Sequence, residues 1–349
     1  MTPAETDGPL CILHIGAEKT GTTSIQESLY ANRERLAAAG IAWPEFLGHR
    51  NHKLLAAVAL PADSEDAAME GNAFAGDAAA HGAYRAEIAA RLGRLAATHH
   101  TVLISSEDLQ RLPREAIETL GALLRPSFAR FRVIAFLLRQ DVLALRRRAQ
   151  LIRTGHTAPP GFPDLRDAEE RRFYDYAAVL GDWAAAFGED AVLPTPFGEV
   201  SAAAGQDSVA HFYRVAGIDD ANFAPVPRLN SSPDTPTLEI LNDANGIGLL
   251  PNDPRRDALE AGLARFETDR TPPVDRTAAA GFVKQFAMSN AALANRWLGG
   301  RTPFNADFSA YPVEDPGPQI AQEARRRLLH LAASGAPKVS QQAAVRGAA

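Results

Sequence analysis

Cysteine is almost absent from this chain: Cys11 stands alone among 349 residues, so no intrachain disulfide can form. Its place inside an apolar run reads as a small core side chain. Long apolar runs are also missing, none approaching the roughly 18 residues of a membrane span. Met1 to Pro9 lacks the basic and then apolar order of a secretory signal. A reducing, cytoplasmic setting is therefore the expectation. An excess of positive charge is absent too. With 36 Lys and Arg against 42 Asp and Glu the formal net charge is −6, which argues against a general nucleic-acid surface and confines phosphate binding to local concentrations of arginine and backbone donors. No histidine pairing, His99-His100 included, has the spacing of a zinc site, so no metal is expected. Neither an internal repeat nor a heptad array occurs.

What the chain has is ordinary core material, 46% hydrophobic residues, enough for one large α/β domain with an appended helical part or for two domains. Its most informative stretch runs from Leu10 to Ser28. Residues 10–15 form a short apolar run suited to a buried parallel strand, Gly16 through Gly21 supply a tight turn, and a helix is expected from Ser24 onward. The backbone N–H groups of Thr20, Gly21, Thr22 and Thr23 can converge on one centre, where a helix N-terminus adds partial positive charge. Lys19 adds a full charge, and Thr20, Thr22, Thr23 and Ser24 add hydroxyls. The pattern is that of an anion site rather than an empty turn.

Further along, Gly40–Pro44 reads as a second short strand, Asn51–Val58 as a helix, and residues 61–81, with few large apolar groups, as an exposed connection. A helix over Ala83–Thr98 leads to a buried strand over Thr101–Glu107, whose polar end puts Glu107 where open parallel sheets place their ligands. A helix over 114–124 follows, then a strand over 131–138 that ends in Arg139-Gln140-Asp141. Phe173–Phe187 is amphipathic at helical spacing, and Ala191–Phe197 is a strand weakened by two prolines. Beyond Gly217 the pattern is helical, over Thr235–Asn245, Pro254–Phe266, Ala278–Trp297 and Gln319–Ala333. The alternation predicts an α/β fold, a doubly wound parallel sheet with a P-loop-like first βα turn and a helical C-terminal part. The expected division is a core over 1–217, a helical part over 218–334 packed on it, and a disordered tail over 335–349.

In a Walker A loop, G-x-x-x-x-G-K-[ST], the lysine follows the second glycine. Here Lys19 precedes Gly21 by two residues, so that pattern fails. The K-T-G-T-T order of Lys19 to Thr23 instead resembles the 5′-phosphosulfate loop of sulfotransferases that use 3′-phosphoadenosine 5′-phosphosulfate as donor. Leu138-Arg139-Gln140-Asp141 followed by Gln150 resembles the bacterial form of that family's second motif, in which a strand-end arginine and a serine about two helical turns later hold the donor's 3′-phosphate. This chain shows Arg146 at the serine. At 100° per residue Arg146, Gln150 and Arg153 share one helix face, while Arg147 and Arg148 read equally as a solvated charge run. Further likenesses run through His14-Ile15-Gly16, Asn51-His52, Ser105-Ser106-Glu107-Asp108, Tyr176, Trp183, Phe187-Gly188, Leu229 to Ser232, and Ser289-Asn290. Together they cover most of residues 10–310.

The resemblance implies transfer of a sulfuryl group to a hydroxyl or amine, and bacterial members suggest a carbohydrate or glycolipid acceptor. Such a transfer needs a cation at the leaving phosphate and a base for the acceptor's proton, and its scheme calls for no metal. Lys19 and the amides of Thr20 to Thr23 match the family's first role, and Arg139 and Arg146 its 3′-phosphate contacts. His52 is the first candidate for the base, because imidazole accepts a proton near neutral pH, and Glu107 is the reserve. Asp108 is the expected cap of the next helix. Two other readings stay open. A non-catalytic nucleotide-binding or sensing protein would need no base, and a P-loop kinase would need Mg²⁺ and an aspartate at a strand end, where this chain shows Glu107 and Arg139.

Overall fold

Residues 8–16, 20–64, 77–197, 208–225 and 233–333 are described by the computed structural model. Lys19, residues 65–76 of the expected connection, Leu229 to Ser232 and the expected tail at 335–349 lie outside the described residues. The chain divides into a sheet unit, residues 1–143, 164–230 and 285–305, and a helical unit, residues 144–163, 231–284 and 306–349. Rather than a single division at 217, the chain passes back and forth, and residues 285–305 belong with the sheet.

The sheet unit holds five parallel strands, β1 (Leu10–His14), β2 (Ile41–Ala42), β3 (Thr101–Ser105), β4 (Arg130–Leu137) and β5 (Val192–Pro196), in the order β2-β3-β1-β4-β5. Central β1 is buried along nearly its whole length, as a parallel strand covered on both faces must be. Ile12, Leu103, Ile134 and Phe136 form one core with helical Ile25, Leu29, Leu36 and Phe212. Their alternates Cys11, Leu13, Val102, Ile104 and Val133 are equally buried, so both faces are covered. Burial also pushes the Cys11 thiol far up, out of any nucleophilic range. Pro194 and Pro196, which lack an N–H to donate, are tolerated because β5 lies at the sheet edge.

Between the strands run α1 (Thr22–Ala31), α2 (Arg33–Ala38), α3 (Lys53–Ala59), α4 (Ala78–Thr98), α5 (Arg114–Leu124), α6 (Gln140–Arg153), α7 (Ala168–Tyr174), α8 (Tyr176–Phe187) and α9 (Ser208–Ala216). Helix α4 starts five residues earlier than its apolar spacing suggests, inside the expected connection, because the Asp77 carboxylate caps it by accepting from the N–H groups of Ala79 and Ala80 at 3.0 and 2.9 Å. The single helix expected over 173–187 is broken at Asp175, whose side chain caps α8 through the Ala178 N–H at 3.1 Å.

The remaining helices are α10 (Thr235–Gly246), α11 (Pro254–Leu263), α12 (Arg276–Lys284), α13 (Ala287–Trp297) and α14 (Gly317–Ala333). The continuous helix expected over 278–297 is two, α12 in the helical unit and α13 in the sheet unit. In the helical unit Leu238 and Leu241 pack on Ala149 and Ile152, while Ile240 packs with Leu263 and Ala324. Arg148 is no solvated charge: it is buried, grips Glu239 with two bonds of 2.8 and 2.9 Å, and donates through Nε to the Pro159 carbonyl at 2.7 Å. Among the described residues no helix is long and apolar enough to cross a membrane.

Candidate functional site

The chain leaves β1 towards the β2–β3 side and leaves β4 towards β5, so the connections part between β1 and β4. Ligands of open α/β sheets sit at that parting, beyond the carboxyl ends of the strands. Past β1 the backbone keeps pairing with β4, Ile15 N–H donating to the Ile134 carbonyl at 3.0 Å and Phe136 N–H to the Gly16 carbonyl at 2.8 Å. Gly21 then turns with φ 92°, and a Cβ there would lie 2.5 Å from Ser208 Oγ at the start of α9. Only glycine satisfies both the turn and the close approach. Helix α1 begins directly after it at Thr22, two residues before the expected Ser24, with Gly21 O accepting from Ile25 N–H at 3.0 Å. The amides of Thr22, Thr23 and Ser24 therefore lie in the first turn, where the helix itself offers no acceptor. Thr20 and Thr22 are buried, Ser24 half-buried and Thr23 exposed.

One strand over, Ser105 at the end of β3 joins the candidate bases. Its backbone N–H donates to His52 Nδ1 at 3.1 Å, its carbonyl accepts from the His52 N–H at 3.0 Å, and its Oγ lies 2.8 Å from His14 Nδ1. Because His52 Nδ1 accepts, the neutral ring carries its proton on Nε2. Burial beside Trp43, ring centres 4.0 Å apart, pushes the His52 pKa down to about 3. Its Nε2 is buried with no hydrogen-bond partner. Glu107, half-buried at the end of β3, accepts from Gln26 Nε2 at 2.9 Å. The short turn Glu107–Arg111 is capped by Ser106, not Asp108: Ser106 Oγ accepts from Asp108 N–H at 3.3 Å and donates to its carboxylate at 3.0 Å. Asp108 also accepts from Asn51 Nδ2 at 3.3 Å.

Arg139 finds an anionic partner within its own chain. Its Nε and Nη2 donate to the two Asp141 oxygens at 2.8 and 2.9 Å, and Nη1 donates to the Asn305 side chain at 2.8 Å and carbonyl at 3.2 Å. The guanidinium and the Asp141 carboxylate are both buried. Gln140 and Asn290 exchange amide hydrogen bonds of 2.7 and 3.2 Å, and the Tyr176 hydroxyl donates to the Leu138 carbonyl at 2.7 Å. Arg146 is exposed and belongs to the helical unit.

No family model matches the chain, and no curated protein matches it. A crystal structure of a sulfotransferase from Alicyclobacillus acidocaldarius superposes on 81% of this chain and 94% of its own at a TM-score of 0.43 and 15% identity. At that distance the likeness carries none of the functional argument, which rests on the residues of the site.

Gln26 is not evident from motif reading, and although Ser105 falls within the Ser105-Ser106-Glu107-Asp108 likeness, its part in the cluster is not evident from it. Gln26 lies between core Ile25 and Leu29, one helical turn after Thr22, and a polar residue at that spacing on a buried face is the signal that marks it. Ser105 acts through backbone groups as much as through its hydroxyl, and backbone groups leave no trace in a sequence.

Proposed function

We propose that the protein is a sulfotransferase that moves a sulfuryl group from 3′-phosphoadenosine 5′-phosphosulfate to a hydroxyl or amine, a carbohydrate or glycolipid being the favoured acceptor class and the cytoplasm the setting. The observation that carries the reading is a non-Walker anion loop at the parting of the sheet, with a carboxylate held beside it on the next strand end by the loop's own helix. Lys19 and the amides and hydroxyls of Thr20 to Ser24 are assigned to the 5′-phosphosulfate, where positive charge favours the leaving phosphate. Glu107 is assigned as base. As the acceptor oxygen bonds to sulfur, its proton passes to Glu107 and the bond from sulfur to the phosphate oxygen breaks, releasing adenosine 3′,5′-bisphosphate. His52 is not assigned as base, since Nδ1 is occupied by the Ser105 N–H and Nε2 bears the proton. Arg139, committed to Asp141 and Asn305, is assigned as a brace of the strand end rather than as a phosphate ligand.

Thermal shift tests the donor. Adenosine 3′,5′-bisphosphate at about 100 times its Kd adds roughly 2.7 kcal/mol of stability and raises Tm. Stabilisation by ATP with Mg²⁺ and not by the bisphosphate would return the kinase reading, and turnover that survives a strong chelator would exclude it. Glu107→Gln is expected to lose roughly 10²–10⁴-fold in turnover, the range for a missing base, while still being stabilised by the bisphosphate. His52→Ala keeps more turnover than Glu107→Gln; the reverse order would hand the role back to His52.

A further inference from the structure

We infer that Gln26 is a positioning residue for Glu107 and fastens the base to the helix whose N-terminus forms the anion loop; the inference rests on the reading that Glu107 takes the acceptor's proton. Gln26 is almost wholly buried on α1, and its spacing of four from Thr22 puts the two on one helix face. Its Nε2 donates to Glu107 Oε2 at 2.9 Å and makes a longer contact of 3.4 Å with Ser105 Oγ. Both neighbours accept in this orientation. Ser105 then directs its own hydrogen to His14 Nδ1, 2.8 Å away, and His14 is a fully buried ring whose pKa burial drives down to about 3, so it stays neutral and able to accept. Reversing the amide would turn Gln26 Oε1 against a carboxylate oxygen and leave Ser105 Oγ without its donor. The chain Gln26, Ser105, His14 thus has one favoured direction, and that direction presents an N–H to Glu107.

Two consequences follow for the reaction. An N–H donated to a carboxylate favours the ionised form that a base requires. The carboxylate is also fixed relative to the first turn of α1, so the group that takes the proton and the group that holds the donor move as one piece, and reaction rates are sensitive to misplacement on the scale of 1 Å.

Gln26→Met keeps the volume and removes the donor, and Gln26→Glu keeps the shape and sets a second carboxyl against the first. Release of adenosine 3′,5′-bisphosphate from the donor, with a panel of sugars, alcohols and amines as acceptors, is expected to fall about 10- to 100-fold for Gln26→Met and further for Gln26→Glu. The thermal shift given by adenosine 3′,5′-bisphosphate should match that of the wild type in both. Repeating Gln26→Met in a Glu107→Asp background, whose shorter carboxylate is out of reach of the amide, separates positioning from general packing: the penalty should nearly vanish there. A penalty of equal size in both backgrounds, or wild-type turnover for Gln26→Met, overturns the inference and leaves the sulfotransferase reading standing. A wild-type protein that neither binds the bisphosphate nor releases it from the donor overturns both.

Discussion

In the helical unit each nitrogen of the Arg327 guanidinium ends on an oxygen, Nε on Glu323, Nη1 on Asp234 and Thr237, Nη2 on the Glu267 carbonyl, at 2.8 to 3.0 Å. In the sheet unit two fully buried imidazoles, His14 and His52, each keep one ring nitrogen unmatched. An unmatched buried polar group costs about 1–3 kcal/mol, and native proteins carry few of them. Here both imidazoles bond to one residue, Ser105, at the carboxyl end of the sheet, beside Glu107, the carboxylate that the loop's helix holds through Gln26. The completed Arg327 network is architecture, whereas the incomplete one at Ser105 adjoins the carboxylate proposed as base; other unmatched buried atoms, Trp183 Nε1 and Trp297 Nε1 among them, lie elsewhere in the sheet unit.

The largest effect is expected from breaking the completed side. Arg327→Leu leaves Asp234 buried without its ion pair, and removing one member of such a pair costs about 3–5 kcal/mol; chemical denaturation of the full chain measures it. Arg139 is predicted to fall on the same side of the comparison. Its removal in Arg139→Leu leaves the Asp141 carboxylate buried, so a loss of similar size is expected. Unchanged stability in Arg139→Leu, together with loss of the extra stabilisation that adenosine 3′,5′-bisphosphate gives over 5′-AMP, would move Arg139 to the ligand side.

The sheet, its first turn and most helices are legible in the sequence because each rests on local pattern: the apolar run at Leu10–Ile15, the glycines at 16 and 21, and the alternation of strand and helix. Boundaries set by side-chain caps are less so. Asp77 and Asp175 move the starts of α4 and α8, and Asp167, Asp234 and Asp253 cap α7, α10 and α11 in the same way. The proposal of an anion loop rests on residue order, in which lysine before the glycine excludes the Walker pattern. The state of His52 does not, because the Nδ1 lone pair is taken by a backbone N–H from residue 105, a contact that only the parallel register of the sheet creates. Arg139 shows the same limit. A strand-end arginine demands an anion, but the sequence does not say that Asp141, two residues on, and Asn305, more than a hundred residues on, already supply its acceptors.

A second effect sharpens the comparison through pH. His14 and His52 have pKa values of about 3 in the fold and near 6.5 when unfolded, so between those values the unfolded state binds more protons. The stability they permit is complete above about pH 6.5 and is lost as the pH falls towards 3. In the helical unit Glu323 is held down to about 2 by Arg326 and Arg327. At Asp234 burial acts upward but is outweighed by hydrogen bonds from Thr237, Asp269 and Arg327. Those contributions persist down to the ordinary carboxylate range, about 4, and fade only below it. Hydrogen exchange, corrected for intrinsic rates, should therefore show β1 and β3 losing protection on acidification before α10 and α14 do. Equal onset in both units would remove the distinction.

The smallest effect on stability is expected at the loop itself, where shape rather than polar pairing is at stake. Gly21→Ala places a side chain at φ 92°, which costs about 1–2 kcal/mol for a non-glycine residue in left-handed backbone. It also sets the new Cβ 2.5 Å from Ser208 Oγ and 2.8 Å from its Cβ, so α9 must shift or the loop must open. Ser208→Gly would clear both contacts without relieving the backbone. The single substitution should therefore lower stability modestly and abolish most of the thermal shift given by adenosine 3′,5′-bisphosphate, while the double substitution regains much of that shift and little of the stability. This split separates the two demands on Gly21, because backbone strain follows φ in both variants and the geometry of the anion loop follows the room left by Ser208. A Gly21→Ala protein that keeps the full thermal shift would mean that the bisphosphate binds without the tight turn at Gly21.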